Sequence, residues 1–160
     1  MKKTLLFSLI ALFFAACQSE PGGGLKETDL LSFGVPVTIM APDSAVIKAD
    51  DLGGGLIRDI TIRGADNYNV QVFATQAETS DIARLKAEQL ADVKSIRYFE
   101  QIISEEEDGF IYKMAIDSSN TSYGFRYIVL QGDLEITFQT GLLGTFSQEE
   151  VERMYQAVQQ

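Results

Sequence analysis

The residues of this chain best suited to chemistry are its carboxylates and its tyrosines. The sequence of 160 residues holds 23 acidic residues, six tyrosines and one cysteine, but neither histidine nor tryptophan. Without histidine, Ser-His-Asp and Cys-His catalysis and histidine-bound zinc are excluded. One cysteine allows neither an intrachain disulfide nor a thiolate zinc cluster. An enzyme on this scaffold would have to use paired carboxylates or a tyrosine, and no spacing in the sequence singles out such a pair.

Four consecutive acidic residues form the densest group of candidate metal ligands: Glu105, Glu106, Glu107 and Asp108. Carboxylate oxygens suit a hard cation such as Ca²⁺. Adjacent side chains on a tight turn point apart, however, and the spacing is not that of an EF-hand. We therefore interpret the run as a solvated hairpin turn and expect neither a metal nor a cofactor.

Five aromatic residues on two neighbouring predicted strands are candidate ligand-facing residues: Phe110, Tyr112, Tyr123, Phe125 and Tyr127. Aromatic faces with polar tips suit small ligands. The alternative is ordinary cross-strand packing beneath a helix. The pattern alone leaves both interpretations open.

The N-terminus has the pattern of a targeting segment. Lys2 and Lys3 precede an apolar run over residues 5–16 that is too short to span a bilayer but typical of a signal-peptide core. The stretch Phe14-Ala15-Ala16-Cys17 resembles the lipobox of bacterial lipoproteins. The resemblance implies a signal peptide over residues 1–16 and lipidation of Cys17.

A lipidated Cys17 predicts a location in the bacterial cell envelope, with attachment to the membrane through the lipid. Gln18 stands where an Asp would resemble an inner-membrane retention signal, which favours the outer membrane over the inner. Residues 17–28 are expected to form a flexible, Gly-rich tether. Beyond residue 16 no apolar run approaches the ~18 residues of a spanning helix, so we expect Cys17 to be the only attachment.

Hydrophobic patterning predicts a single α+β domain over residues 29–160. Alternating runs predict six to eight mostly antiparallel strands. A mid-chain helix is expected after an N-cap at Ser80, and Ser147 with Glu150 predicts a capping box for a C-terminal helix. Residues 127–130 are apolar on both faces, which indicates a central strand covered from both sides. The two helices should therefore lie on opposite faces of the sheet, as in an α/β/α sandwich.

The order of these elements resembles the PsbP-like family across roughly residues 30–158. The shared features are a first strand ending at Pro42, a hairpin, an amphipathic helix, an acidic-tipped hairpin and a capped C-terminal helix. Characterised members of that family are binding or assembly factors, so the resemblance implies a non-catalytic role.

Together these features predict a lipid-anchored envelope protein that is not an enzyme and that acts as a binding or assembly factor for an envelope protein partner. A small-ligand carrier with an aromatic pocket and a hydrolase using carboxylates or tyrosine remain open as alternatives. A net charge of −10 argues against nucleic acid as a partner, because nucleic-acid binding needs a basic surface.

Overall fold

A seven-stranded antiparallel sheet forms the middle layer of the molecule. The computed structural model describes residues 24–117 and 119–159. In chain order the elements are β1 (Leu25–Asp29), β2 (Thr38–Pro42), β3 (Val46–Leu52), β4 (Ile57–Arg63), β5 (Asn69–Gln76), α1 (Ile82–Ser95), β6 (Phe99–Glu105), β7 (Gly109–Ala115), β8 (Thr121–Gln131), β9 (Leu134–Thr140) and α2 (Gln148–Val158). The large sheet has the order β3-β4-β5-β9-β8-β7-β6, and β1 pairs with β2 in a small second sheet.

The two helices pack on opposite faces of the large sheet, so the predicted α+β sandwich is confirmed. On β7, Phe110 and Tyr112 pack with Leu90 of α1. Ile111, between them, belongs to the core cluster that contains Met154 of α2. Because successive strand residues point to opposite faces, α1 and α2 must lie on different sides of β7.

The larger core lies between the sheet and α2, and the small sheet completes it. Ile39 and Ala41 of β2 are buried in the same cluster as Val151 of α2. Strand β8, the fifth in the order of the large sheet, contacts both helices. The predicted central strand, covered on both sides, is therefore confirmed.

The two helix N-termini agree with the sequence pattern to different degrees. The capping box of α2 is confirmed. The Ser147 side chain accepts a hydrogen bond from the main-chain N–H of Glu150, and the Glu150 carboxylate accepts one from the main-chain N–H of Ser147. The N-cap predicted at Ser80 is wrong. Asp81 takes that position and accepts from the main-chain N–H of Arg84 at 3.1 Å.

Strand β1 occupies the last part of the segment predicted to be a tether. Leu25 lies opposite Pro42 in an antiparallel register with β2. It is half-buried against the larger core, which gives this end of the chain apolar contact. The predicted boundary at residue 28 is therefore corrected to the start of β1.

Candidate functional site

A row of polar side chains crosses the α1 face of the large sheet. Gln71 of β5 lies opposite Gln139 of β9, which in turn lies opposite Arg126 of β8. The glutamine residues are only 5% and 6% exposed. Opposed residues share a face with Cβ atoms about 5 Å apart, so these side chains form one line. With Asp59 of β4 they make up what we call the polar row.

Hydrogen bonds run along the polar row from its β4 end. Gln71 Nε2 donates to both carboxylate oxygens of Asp59, at 2.9 and 3.1 Å. Gln139 Nε2 donates to Gln71 Oε1 at 3.2 Å. A buried polar group left without a partner costs about 1–3 kcal/mol. These hydrogen bonds therefore satisfy the two glutamine side chains that are buried on the inner strands of the sheet.

At the other end of the polar row, neutral groups hold the Arg126 guanidinium. Its Nη1 donates to the main-chain oxygen of Phe125 at 3.1 Å and lies 3.4 Å from Tyr112 Oη. The guanidinium carbon is 5.8 Å from the centroid of the Tyr112 ring, within range of a cation–π contact. Gly124 lies opposite Tyr112, and a Cβ there would come 2.5 Å from the ring. The glycine thus leaves room for the ring beside Arg126.

Arg126 forms no salt bridge with any residue that the structure describes. Arg58, Arg84 and Arg153 each pair with a carboxylate, whereas Arg63 and Arg97, which also have no salt bridge to a described residue, are exposed. A guanidinium has five N–H donors in a planar fork that matches carboxylate and phosphate groups. The half-buried Arg126 can therefore offer donors to an anionic group from outside the domain.

Arg126 faces a cavity of about 190 Å³ between β7, β8, β9 and the C-terminal end of α1. Its lining includes Ile96, Tyr112, Ser122, Arg126, Gln139 and Leu142. We call it the Arg126 cavity. Sites for small molecules usually enclose about 300–1,000 Å³. The Arg126 cavity is smaller, and it suits a group the size of one side chain.

Two larger depressions have arginine residues that are already paired within the protein. One, of about 470 Å³, lies beside the N-terminal end of α1, where Arg84 pairs with Glu88 at 2.9 Å. Burial raises the pKa of Glu135 there, and the charge of Glu88 raises it further. The other, of about 520 Å³, lies at the N-terminus of α2, where Arg153 pairs with Asp66. Neither depression offers an uncompensated cation to a ligand.

The five candidate aromatic residues do not face one pocket. Phe110 and Tyr112 belong to the core cluster under α1, whereas Tyr123, Phe125 and Tyr127 pack with the core under α2. The cause is the register of β7 and β8, which places Tyr112 opposite a glycine and so puts the aromatic positions of the two strands on different faces. Tyr112 and Tyr123 line the Arg126 cavity.

The acidic residues 105–108 form the end of β6 and the turn to β7, at the hairpin turn predicted from the sequence. Two of their side chains point toward different helices. Glu105 pairs with Lys86 of α1 at 3.1 Å. The Glu106 carboxylate accepts from Tyr155 Oη of α2 at 3.0 Å. Glu107 is exposed and Asp108 half-buried. Within the described ranges, no three Asp, Glu, Cys or His side chains come together as a metal-binding group.

The predicted lipidation site, Cys17, and the predicted signal peptide lie outside the described residues. Among the described residues, no helix is long and apolar enough to cross a membrane.

Comparison with known proteins identifies no relative. No family model matches the chain, and no curated protein or solved structure is significantly similar to it. The resemblances to bacterial lipoproteins and to the PsbP-like family therefore stay predictions.

The polar row was not among the residues singled out from the sequence. Its signal was present, because Gln71 and Gln139 alternate with apolar residues in their strands. What the sequence lacks is the pairing of β5 with β9, strands far apart in the chain, which brings the two glutamines together.

Proposed function

We propose that this protein is a lipid-anchored component of the bacterial cell envelope, in the outer membrane rather than the inner, that binds a protein partner without transforming it. Cys17 carries the lipid. The Arg126 cavity receives an anionic group of the partner. The observation that carries the binding half of this proposal is the half-buried Arg126, held by Tyr112 and a main-chain oxygen and without a salt bridge to any described residue.

The size and chemistry of the Arg126 cavity support a protein partner. A cavity of about 190 Å³ holds one carboxylate-bearing side chain or a C-terminal carboxylate. Arg126 would supply charge-assisted hydrogen bonds, which are about twice as strong as neutral ones. Gln139 and Ser122 add polar groups, whereas Ile96 adds apolar contact. The mixture resembles a binding pocket at the centre of an interface.

The groups whose pKa is raised by burial lie away from the Arg126 cavity. Catalytic acids and bases gather in clefts where burial and neighbouring charges shift their pKa. Burial raises the pKa of Tyr68, and burial followed by the hydrogen bond to Glu106 raises that of Tyr155. Neither tyrosine lines the Arg126 cavity.

Site-specific photo-cross-linking in the native envelope tests this proposal. A photoreactive residue replaces Ile96, at the Arg126 cavity, in full-length protein made by cells that process lipoproteins. We expect one discrete cross-linked envelope protein, identified by mass spectrometry, that disappears when Arg126→Gln is added. Arg126→Lys keeps the charge but loses the planar fork, so it should restore only part of the product.

A photoreactive residue at Leu31 provides the matched control, because this exposed side chain lies outside the Arg126 cavity. It should not yield the same product. Equal products at both positions, or a product at Ile96 that persists in Arg126→Gln, would contradict a partner bound through Arg126.

A further inference from the structure

Two adjacent leucines project from the loop between β9 and α2. Leu142 is 78% exposed and Leu143 is 70% exposed. The backbone around them is held in place, since Asn69 Nδ2 donates to the Leu143 oxygen at 2.8 Å and Asn67 Nδ2 to the Thr145 oxygen at 3.1 Å. The side chains are therefore presented to solvent by a fixed loop.

This loop lies at the end of the domain where the chain arrives from Cys17. Leu25, the first residue of β1, is opposite Pro42. Pro42 packs against Gly64, where an added Cβ would lie 2.6 Å from the proline ring. Gly64 starts the β4–β5 turn, and Asn67 of that turn bonds the loop. A continuous set of contacts thus connects the start of the domain to the two leucines.

The covalent chain limits how far this end can lie from an anchored Cys17. Eight residue steps separate Cys17 from Leu25. Fully extended, they span at most about 28 Å. The end of the domain that contains Leu25 is therefore kept close to any membrane that holds the lipid of Cys17.

The segment that carries the two leucines, residues 136–148, contains no charged residue. The acidic turn 105–108 lies at the far end of α2, where Gln159 Nε2 donates to Glu106 at 2.7 Å. The 11 residues of α2 separate the two ends by about 16 Å. Asp66, Glu149 and Glu150 lie beside the loop at the N-terminus of α2. The loop segment itself brings no charge that an anionic membrane would repel.

We propose that Leu142 and Leu143 insert into the lipid bilayer beside the acyl chains of Cys17 and orient the domain on the membrane. The proposal rests on the lipid anchor of the proposed function. Cys17 remains the only anchor, because two leucines bury too little apolar surface to hold the domain on a membrane and serve to orient it. Burial of two exposed leucines in the acyl boundary removes apolar surface from water. Since Leu142 also lines the Arg126 cavity, insertion brings that cavity to the membrane surface.

Tryptophan fluorescence tests the orientation, because the native chain contains no Trp. Leu142→Trp, Leu143→Trp and Leu56→Trp are each produced as full-length, processed protein and reconstituted into phosphatidylglycerol–phosphatidylethanolamine vesicles with or without doxyl-labelled lipid. Leu56 is the matched control, since it is 77% exposed and borders the depression at the opposite, N-terminal end of α1. Mass spectrometry of the N-terminal peptide reports in parallel whether Cys17 is lipidated.

We expect a blue-shifted emission and strong quenching by doxyl lipid for Leu142→Trp and Leu143→Trp, with neither change for Leu56→Trp. A lipidated protein whose three variants are quenched equally or not at all overturns the inference and leaves the anchor intact. In the absence of vesicles, the emission of Leu142→Trp could instead shift to the blue as the protein concentration rises. That result would show that the loop contacts a second copy of the protein, and it would also overturn the inference. Absence of the lipid on Cys17 overturns the anchor and this inference together.

Discussion

At the scale of single residues, the Arg126 cavity depends on Gly124, which has no side chain. Gly124 leaves the space in which the Tyr112 ring lies beside Arg126. On the other side of Arg126, Gln139 is held by Gln71, and Gln71 by Asp59. The guanidinium is thus positioned between an aromatic ring and a hydrogen-bonded row, and no described carboxylate competes for its donors.

The polar row predicts a non-additive response to mutation. Gln71→Leu removes the donor to Asp59 and the acceptor of Gln139, and we expect a loss of about 1–3 kcal/mol in the free energy of unfolding. Gln71→Leu with Gln139→Leu should cost less than the sum of the two single changes, because it removes both ends of their bond. Urea unfolding of the double-mutant cycle measures this. Gln101→Leu, at an exposed position on β6, is the control, and strictly additive losses would contradict the hydrogen bonds of the polar row.

Asp117 predicts an acid-dependent loss of stability. Hydrogen bonds from the Ser119 and Asn120 residues lower its pKa from 3.8 to about 2. Because the pKa of Asp117 is lower in the folded than in the unfolded protein, its ionised carboxylate stabilises the fold at pH values above the unfolded pKa. This contribution is lost as the pH falls from about 4 to about 2 and the carboxylate becomes protonated. Asp117→Asn should therefore be less stable than the native protein at pH 6 and equal to it near pH 2.

Urea unfolding across this pH range provides the measurement. Asp133→Asn, at an exposed residue of the β8–β9 turn, controls for general effects of the substitution. A profile for Asp117→Asn as steep as that of the native protein would contradict the assignment.

The aromatic residues show what sequence pattern can and cannot provide at this scale. Alternation within β7 and within β8 was visible, and it correctly indicates two strands. Whether two alternating sets share a face depends on register, which a shift of one residue reverses. Tyr112 lies opposite Gly124, so the two aromatic sets fall on different faces, and no local feature of the sequence announces this.

At the scale of elements, the sequence predicts correctly those features that depend only on neighbouring residues. It predicts less well those that depend on contacts between distant parts of the chain. The α2 capping box spans only four residues and is confirmed. The first helix was predicted one residue early, because Ser80 and Asp81 are both good N-caps. The helix uses Asp81, whose carboxylate accepts from the main-chain N–H of Arg84. Strand β1 was missed because Lys26, Glu27 and Thr28 are polar, and only its pairing with β2 makes it a strand.

The α2 capping box predicts a measurable stabilising contribution. Ser147→Ala removes the acceptor for the Glu150 main-chain N–H, and we expect a loss of about 1 kcal/mol in the free energy of unfolding. Thermal and urea unfolding measure it. Gln156→Ala, at an exposed position on the same helix, controls for general effects of substitution. An equal effect of the two changes would show that the cap does not stabilise α2.

The β6–β7 hairpin predicts no response to calcium. Glu105 turns to α1 and Glu106 to α2, so these two carboxylates do not converge. We expect millimolar Ca²⁺ to leave the melting temperature unchanged, since a bound ion would stabilise the fold by RT ln(1 + [L]/Kd). A rise of several degrees that is lost in Glu106→Gln with Glu107→Gln would contradict this interpretation of the turn.

At the scale of the whole molecule, the two helices run between two chemically different ends. One end holds the acidic turn, joined to α1 through Lys86 and to α2 through Tyr155. The other holds the start of the domain and the exposed Leu142 and Leu143. The sandwich architecture could be predicted from the patterning, but the strand order that assembles the polar row could not, because β5 and β9 are separated by α1 and three strands.

Attachment to the membrane through Cys17 is the central claim of this account. Its most direct test is to extract the protein from bacterial membranes and measure the mass of its N-terminal peptide. The account predicts a peptide that begins at Cys17 and carries acyl chains, because two or more chains are needed for lasting attachment. Cys17→Ser should retain its signal peptide and carry no lipid. A membrane-bound native protein with an unmodified Cys17 thiol would contradict the account.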